Sequence, residues 1–148
     1  MNNIDEYRYA VTNALAGFQL IEESLKGYIE FYHETVRRFL PEEIAYDYSR
    51  KDVQDAALGK LTNVFSKITK NRQLISDLRS LQRMRDELAH TALIELFGSP
   101  PSSPFFEHKT SELVELGQRL SSILGQINKA SIDLLLVAEV KANTRKPN

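Results

Sequence analysis

The chain reads as an all-α protein, an antiparallel four-helix bundle. Apolar residues recur at alternating steps of four and three through most of its length, and no stretch shows the two-residue alternation of a strand between turn signals. Two of the periodic segments are long enough to make extended two-faced helices, the pattern of a bundle. At 148 residues the chain is the size of one domain with a core that needs neither disulfide nor metal. We therefore expect a single helical domain over residues 1–142 and a disordered tail, NTRKPN, over 143–148.

The first helix places Tyr7, Val11, Ala14, Phe18, Ile21, Leu25, Tyr28, Tyr32, Thr35 and Phe39 on one stripe, and Pro41 ends it. Gly17 and Gly27 are positions where a neighbouring helix can come close. Residues 41–51 form a connection. A second helix is expected from Asp52 to Ile68, with Val53, Ala57, Leu61, Val64 and Ile68 inward. Asn71 is placed to cap a third helix that runs to Phe97. The segment GSPPSSP, residues 98–104, stops that helix, and a fourth is expected from Thr110 or Ser111 to about Ala142. Its stripe is Leu113, Leu116, Leu120, Ile123, Ile127, Ala130, Leu134 and Val137.

Composition narrows the chemistry. With no cysteine there is no disulfide and no thiolate metal site, which fits a reducing, cytoplasmic setting. The start, MNNIDEYRY, is polar, and no apolar run nears the roughly 20 residues that span a bilayer. There is no glycine-rich phosphate loop, no histidine pair at metal spacing and no cysteine nucleophile, so neither cofactor nor metal is expected. His33 and His108 stand alone, and Glu22 and Glu23 read as solvent-facing charge.

The net charge of −1 conceals an uneven distribution. Residues 1–47 hold nine acids and four bases, whereas Lys60 to Arg85 holds seven bases against Asp77 alone. A local excess of six positive charges reads either as a solvated helical face or as a surface that meets an anion, and Arg72, Arg79 and Arg83 are the candidate contacts if that anion is RNA.

The third helix carries the informative motif. Leu74, Leu78 and Leu81 lead through position 85 to Leu88, Ala92 and Leu96, so Arg85 occupies a slot that periodicity assigns to the core. A buried, unpaired guanidinium is costly, so the slot must face a partner chain, a cleft or an acidic side chain. Asp86 and His90 are four residues apart on one face, where a carboxylate can orient an imidazole. Arginine and histidine together suit phosphodiester cleavage. The histidine exchanges protons with the attacking or leaving oxygen, and the arginine stabilises charge on the phosphoryl group.

RDELAH, Arg85 to His90, resembles the signature of HEPN domains: an arginine, a polar residue, then a histidine four to six positions on. ALGKLTNVF, residues 57–65, and IEESLKGYIEF, residues 21–31, are similar to the second and first helices of small bacterial HEPN-like proteins. The resemblance implies a HEPN-like four-helix domain that forms a homodimer around a cleft holding Arg85 and His90, with Asp86 beside them. It also implies a metal-independent endoribonuclease acting as a toxin or in phage defence, with a nucleotidyltransferase-type antitoxin as partner. The alternative is a non-catalytic helical module that binds a nucleotide or a protein, with Arg85 as an ion-pair donor.

Overall fold

The computed structural model describes residues 3–97 and 103–145, apart from the side chains of Leu93, Leu96, Phe97 and Ser103. Four α-helices, α1 (Asn3–Phe39), α2 (Leu58–Ser66), α3 (Arg72–Phe97) and α4 (Ser103–Thr144), and a 3-10 turn at Arg50–Asp52 make up the described chain, and no strand occurs among its residues. One core joins all four helices. Phe18, Ile21, Leu25 and Ile29 of α1 meet Leu58, Leu61 and Phe65 of α2, Leu74, Leu78 and Leu81 of α3, and Leu120, Ile123 and Ile127 of α4.

The stripes of α1 and α3 fall where their periodicity puts them. Tyr7, Val11, Ala14, Phe18, Ile21, Leu25 and Tyr28 are buried, as are Leu74, Leu78, Leu81, Leu88 and Ala92. The carboxamide oxygen of Asn71 accepts the backbone N–H of Leu74 at 3.0 Å, capping α3 as expected. Gly17 does admit a neighbour, since a Cβ there would stand 3.0 Å from Leu120 Cδ1, whereas Gly27 faces open space.

The helix directions correct the expectation of an antiparallel bundle. Asn3 hydrogen-bonds to Glu107, Tyr7 packs on Phe106 with ring centroids 5.2 Å apart, Gly17 lies against Leu120, and Arg145 covers the Phe39 ring. Thus α1 and α4, which share the most extensive interface, run parallel. Glu22 lies beside Leu58 and Tyr28 beside Phe65, so α2 also follows α1. Only α3 runs the other way, bringing Arg85 to Glu22 and Glu95 to Tyr7.

The cause is the connection over residues 40–57, which doubles back along α1. Arg50 pairs with Glu30 at 3.2 Å and Glu23 at 2.6 Å, and His33 stacks on Tyr48 at 3.6 Å while its Nδ1 hydrogen-bonds with the Tyr46 hydroxyl. Arg37 donates to the Tyr48 carbonyl at 2.5 Å. The chain thereby returns to the level of Glu22 before α2 starts. This path also shortens the second helix: Asp52 ends a 3-10 turn, and α2 begins six residues later, at Leu58. Val53 and Leu61 are buried as expected, but Ala57 is exposed.

The fourth helix starts earlier than its periodicity indicates. Ser103 and Pro104 open α4 instead of closing the preceding loop, because proline is well suited to a first helical turn, whose N–H groups have no intrahelical acceptor. Phe106 is buried against Tyr7 in consequence. The rest of the proline-rich segment, residues 98–102, lies outside the described residues. At the other end α4 reaches Thr144, past the expected end near Ala142, and Arg145 donates to the Phe39 carbonyl at 3.4 Å. The inward stripe of α4 also slips by one position after Ile127: Ala138 is 4% exposed, whereas Val137 is 53% exposed. A straight helix drifts by about 20° per heptad, which accounts for the slip.

Candidate nucleic-acid interface

Arg85 is neither buried alone nor free. Its Nε lies 3.7 Å from Glu22 Oε1 and its Nη1 lies 3.4 Å from Asp86 Oδ1, with the side chain about one-third exposed. The acid that the core-facing slot demanded is Glu22, a residue whose sequence context suggested solvent. Glu22 is only 15% exposed, and its carboxylate also accepts the first N–H of α2, that of Leu58, at 3.2 Å. One carboxylate therefore ties three helices together. It balances a cation of α3 and occupies the positive end of the α2 backbone dipole. Asp86 binds Arg85 rather than His90, and His90 is exposed with no hydrogen-bond partner among the described residues.

The basic residues expected to meet RNA are brought together. At about 100° per residue, Arg72, Arg79, Arg83 and His90 fall within roughly 40° of one another on α3, whereas Arg85 points about 140° away. Arg72, Ile75, Ser76, Arg79, Ser80 and Arg83 line an open groove of about 450 Å³. None of the three groove arginines has a carboxylate partner among the described residues. From Arg72 to His90 the stripe extends about 27 Å at 1.5 Å per residue. Asp86 and Glu87 flank its lower part, so the uncompensated charge is concentrated between Arg72 and Arg83.

A fourth cation reaches the edge of the groove from α4, through Ser80. Arg119 Nη2 donates to Ser80 Oγ at 3.1 Å and Nη1 lies 3.7 Å from Met84 Sδ, with no acid paired to it among the described residues. Nothing in its local sequence marks it, since it neighbours the buried Leu120 and belongs to no charge run. Arg119 also borders a second cavity of about 580 Å³ between α3 and α4, where Tyr7, Glu87, Glu95, Glu112 and Lys109 converge. There the Tyr7 hydroxyl donates to Glu95, and burial first, then that hydrogen bond and the Glu95 charge, push the phenol well above the usual tyrosine range.

Among the described residues no group of three or more histidine, aspartate or glutamate side chains is placed to hold a metal ion, and no helix is long and apolar enough to cross a membrane. His33 is packed among Tyr46, Tyr48 and Arg37, and its pKa is lowered, mainly by burial and secondly by the Arg37 charge, against a smaller opposing effect of Asp52. His108 pairs with Glu112 on exposed surface. Comparison with known proteins finds no matching family model and no significant match among curated proteins or solved structures.

Proposed function

We propose that this protein is a metal-independent endoribonuclease of the HEPN type, a toxin or phage-defence component that works as a homodimer. The observation that supports it best is the outward stripe of α3, where three arginines without acidic partners among the described residues lead along one face to an exposed histidine. Such a stripe suits the backbone of a single RNA strand, whose phosphates the guanidiniums neutralise while leaving bases free. His90, at the end of that track, takes the proton of a ribose 2′-hydroxyl as its oxygen attacks the adjacent phosphorus. The P–O5′ bond breaks, the 5′-oxygen leaves with a proton, and the products are a 2′,3′-cyclic phosphate and a 5′-hydroxyl. In a homodimer that pools two sites, a second His90 supplies the leaving-group proton and Arg85 stabilises the charge on phosphorus. A nucleotidyltransferase-type antitoxin is the partner that fits this role.

The pairing of Arg85 with Glu22 favours a second reading, in which Arg85 is structural and the chain is a non-catalytic module that binds a nucleotide or a protein. The deciding experiment incubates purified protein with unstructured RNA in the presence of EDTA. Endoribonucleolytic products with cyclic phosphate ends, lost in His90→Ala, are expected. RNA left intact with and without divalent metal would favour the binding module.

A further inference from the structure

The last third of α4 carries aliphatic side chains that none of the described elements covers. Ile132, Leu136 and Val140 are 58%, 58% and 63% exposed, and Leu135 is 45% exposed. Ile132, Leu136 and Val140 lie on the side of α4 opposite the buried Ile127 and Ala138, and Leu135 lies on its flank. A helix segment with this much aliphatic surface in water calls for a covering partner.

The sequence of that face indicates which partner. At about 100° per residue, Gly125, Lys129, Ile132, Leu136, Glu139 and Asn143 fall within an arc of roughly 80°, at alternating steps of four and three. This is a seam one helix wide. It is also symmetric about position 134. Rotating a second α4 about a two-fold axis there sets Ile132 against Leu136, Gly125 against Asn143, and Lys129 against Glu139 of the other copy. The Lys129–Glu139 pair then forms twice, once at each end of the apolar centre. Lys129 also pairs with Asp133 of its own helix at 2.9 Å, at the outer edge of the seam. A parallel arrangement, by contrast, would oppose lysine to lysine and glutamate to glutamate.

Ile132, Leu136 and Val140 offer roughly 100 Å² each, about 600 Å² over two copies, and the stems of Lys129 and Glu139 add to this, toward the ~1,000 Å² of a specific interface. We propose that two copies of this chain dock antiparallel through the Gly125–Asn143 face of α4, in a register centred on Leu134. This contact does not rest on the ribonuclease proposal. It lies roughly 25 Å along the bundle from the level of His90, so it is separate from any contact that would bring two His90 residues together.

Light scattering on the intact chain at tens of micromolar tests it. The wild type is expected at a multiple of 16.9 kDa, and Leu136→Glu, with helicity checked by circular dichroism, should halve that mass. Lys129→Glu and Glu139→Lys each place like charges across the seam and should weaken association about 10-fold, whereas the double variant should restore it. All three charge changes are on exposed positions, so folding is not at stake. A monomeric wild type, or an unchanged mass for Leu136→Glu, would overturn the proposal. Failure of the double charge swap to rescue the single variants would overturn the antiparallel register.

Discussion

Arg85 and His90 are five residues apart on one helix and occupy opposite environments. Arg85 turns toward α1, where Glu22 and Asp86 meet its charge, and the same Glu22 holds the start of α2. His90 turns outward, onto the stripe of Arg72, Arg79 and Arg83, where no acid among the described residues is paired with the guanidiniums. A motif compact in sequence is therefore divided in space. One end is built into the structure, and the other faces whatever approaches the groove. The difference shows why a spacing alone is a weak guide to a site: it fixes the angle between two side chains but not which of them the fold has already used.

The division can be broken first at its outward end. His90→Ala should lower RNA cleavage by about 100- to 10,000-fold, the usual cost of removing a general acid-base group, with the melting temperature unchanged because the side chain is exposed. Arg85→Ala should instead lower cleavage and stability together. If Arg85→Ala loses stability but cuts RNA at the wild-type rate, Arg85 is an anchor and takes no part in the chemistry.

The inward end is sharpened by Glu22→Gln. Neutralising this carboxylate weakens both its pairing with Arg85 and its hold on the Leu58 N–H, at a cost of about 1–2 kcal/mol. For a chain of this size that is a fall in melting temperature of about 3–8 °C, measurable by calorimetry. An unchanged melting temperature would mean that solvent already screens the pair. Asp86→Asn should have a smaller effect on stability, since Asp86 is exposed and its contact with Arg85 is long.

The smallest expected effect lies at the doubled-back connection. His33 titrates below the ordinary value of 6.5 in the folded chain because burial and Arg37 disfavour its charge. The unfolded chain then binds the proton first. The stability that neutral His33 contributes is complete above about pH 6.5 and is lost as pH falls from there through the lower folded value. His33→Phe should flatten this part of the stability–pH curve while leaving RNA binding intact.

Much of the bundle was legible because burial imposes a period on sequence. The stripes of α1 and α3, the Asn71 cap and the stop at Pro41 follow from local rules. The direction of α4 did not, because it depends on where residues 40–57 travel, and that path is set by Arg50 with Glu23 and Glu30 and by His33 with Tyr48. No periodicity encodes contacts between a loop and a helix. Pro104 misled for a related reason, since proline marks the first turn of one helix as readily as the end of another. At the candidate site, helical angles suffice to place Arg72, Arg79 and Arg83 together. The apolar slot at Arg85 announced the need for an acid, but only the packing of α1 against α3 identifies Glu22, and only the packing of α4 adds Arg119.

The most direct test of the outward face is the salt dependence of RNA affinity, measured with a short oligouridine under conditions that prevent cleavage. If Arg72, Arg79, Arg83 and Arg119 each neutralise one phosphate, log Kd should rise with log salt at a slope of about 3, since each single-strand contact contributes about 0.7. Replacing Arg72, Arg79 and Arg83 with glutamine should bring the slope below about 1. A wild-type slope near zero, or one that the triple replacement leaves unchanged, would contradict the assignment of α3 as the RNA-facing surface.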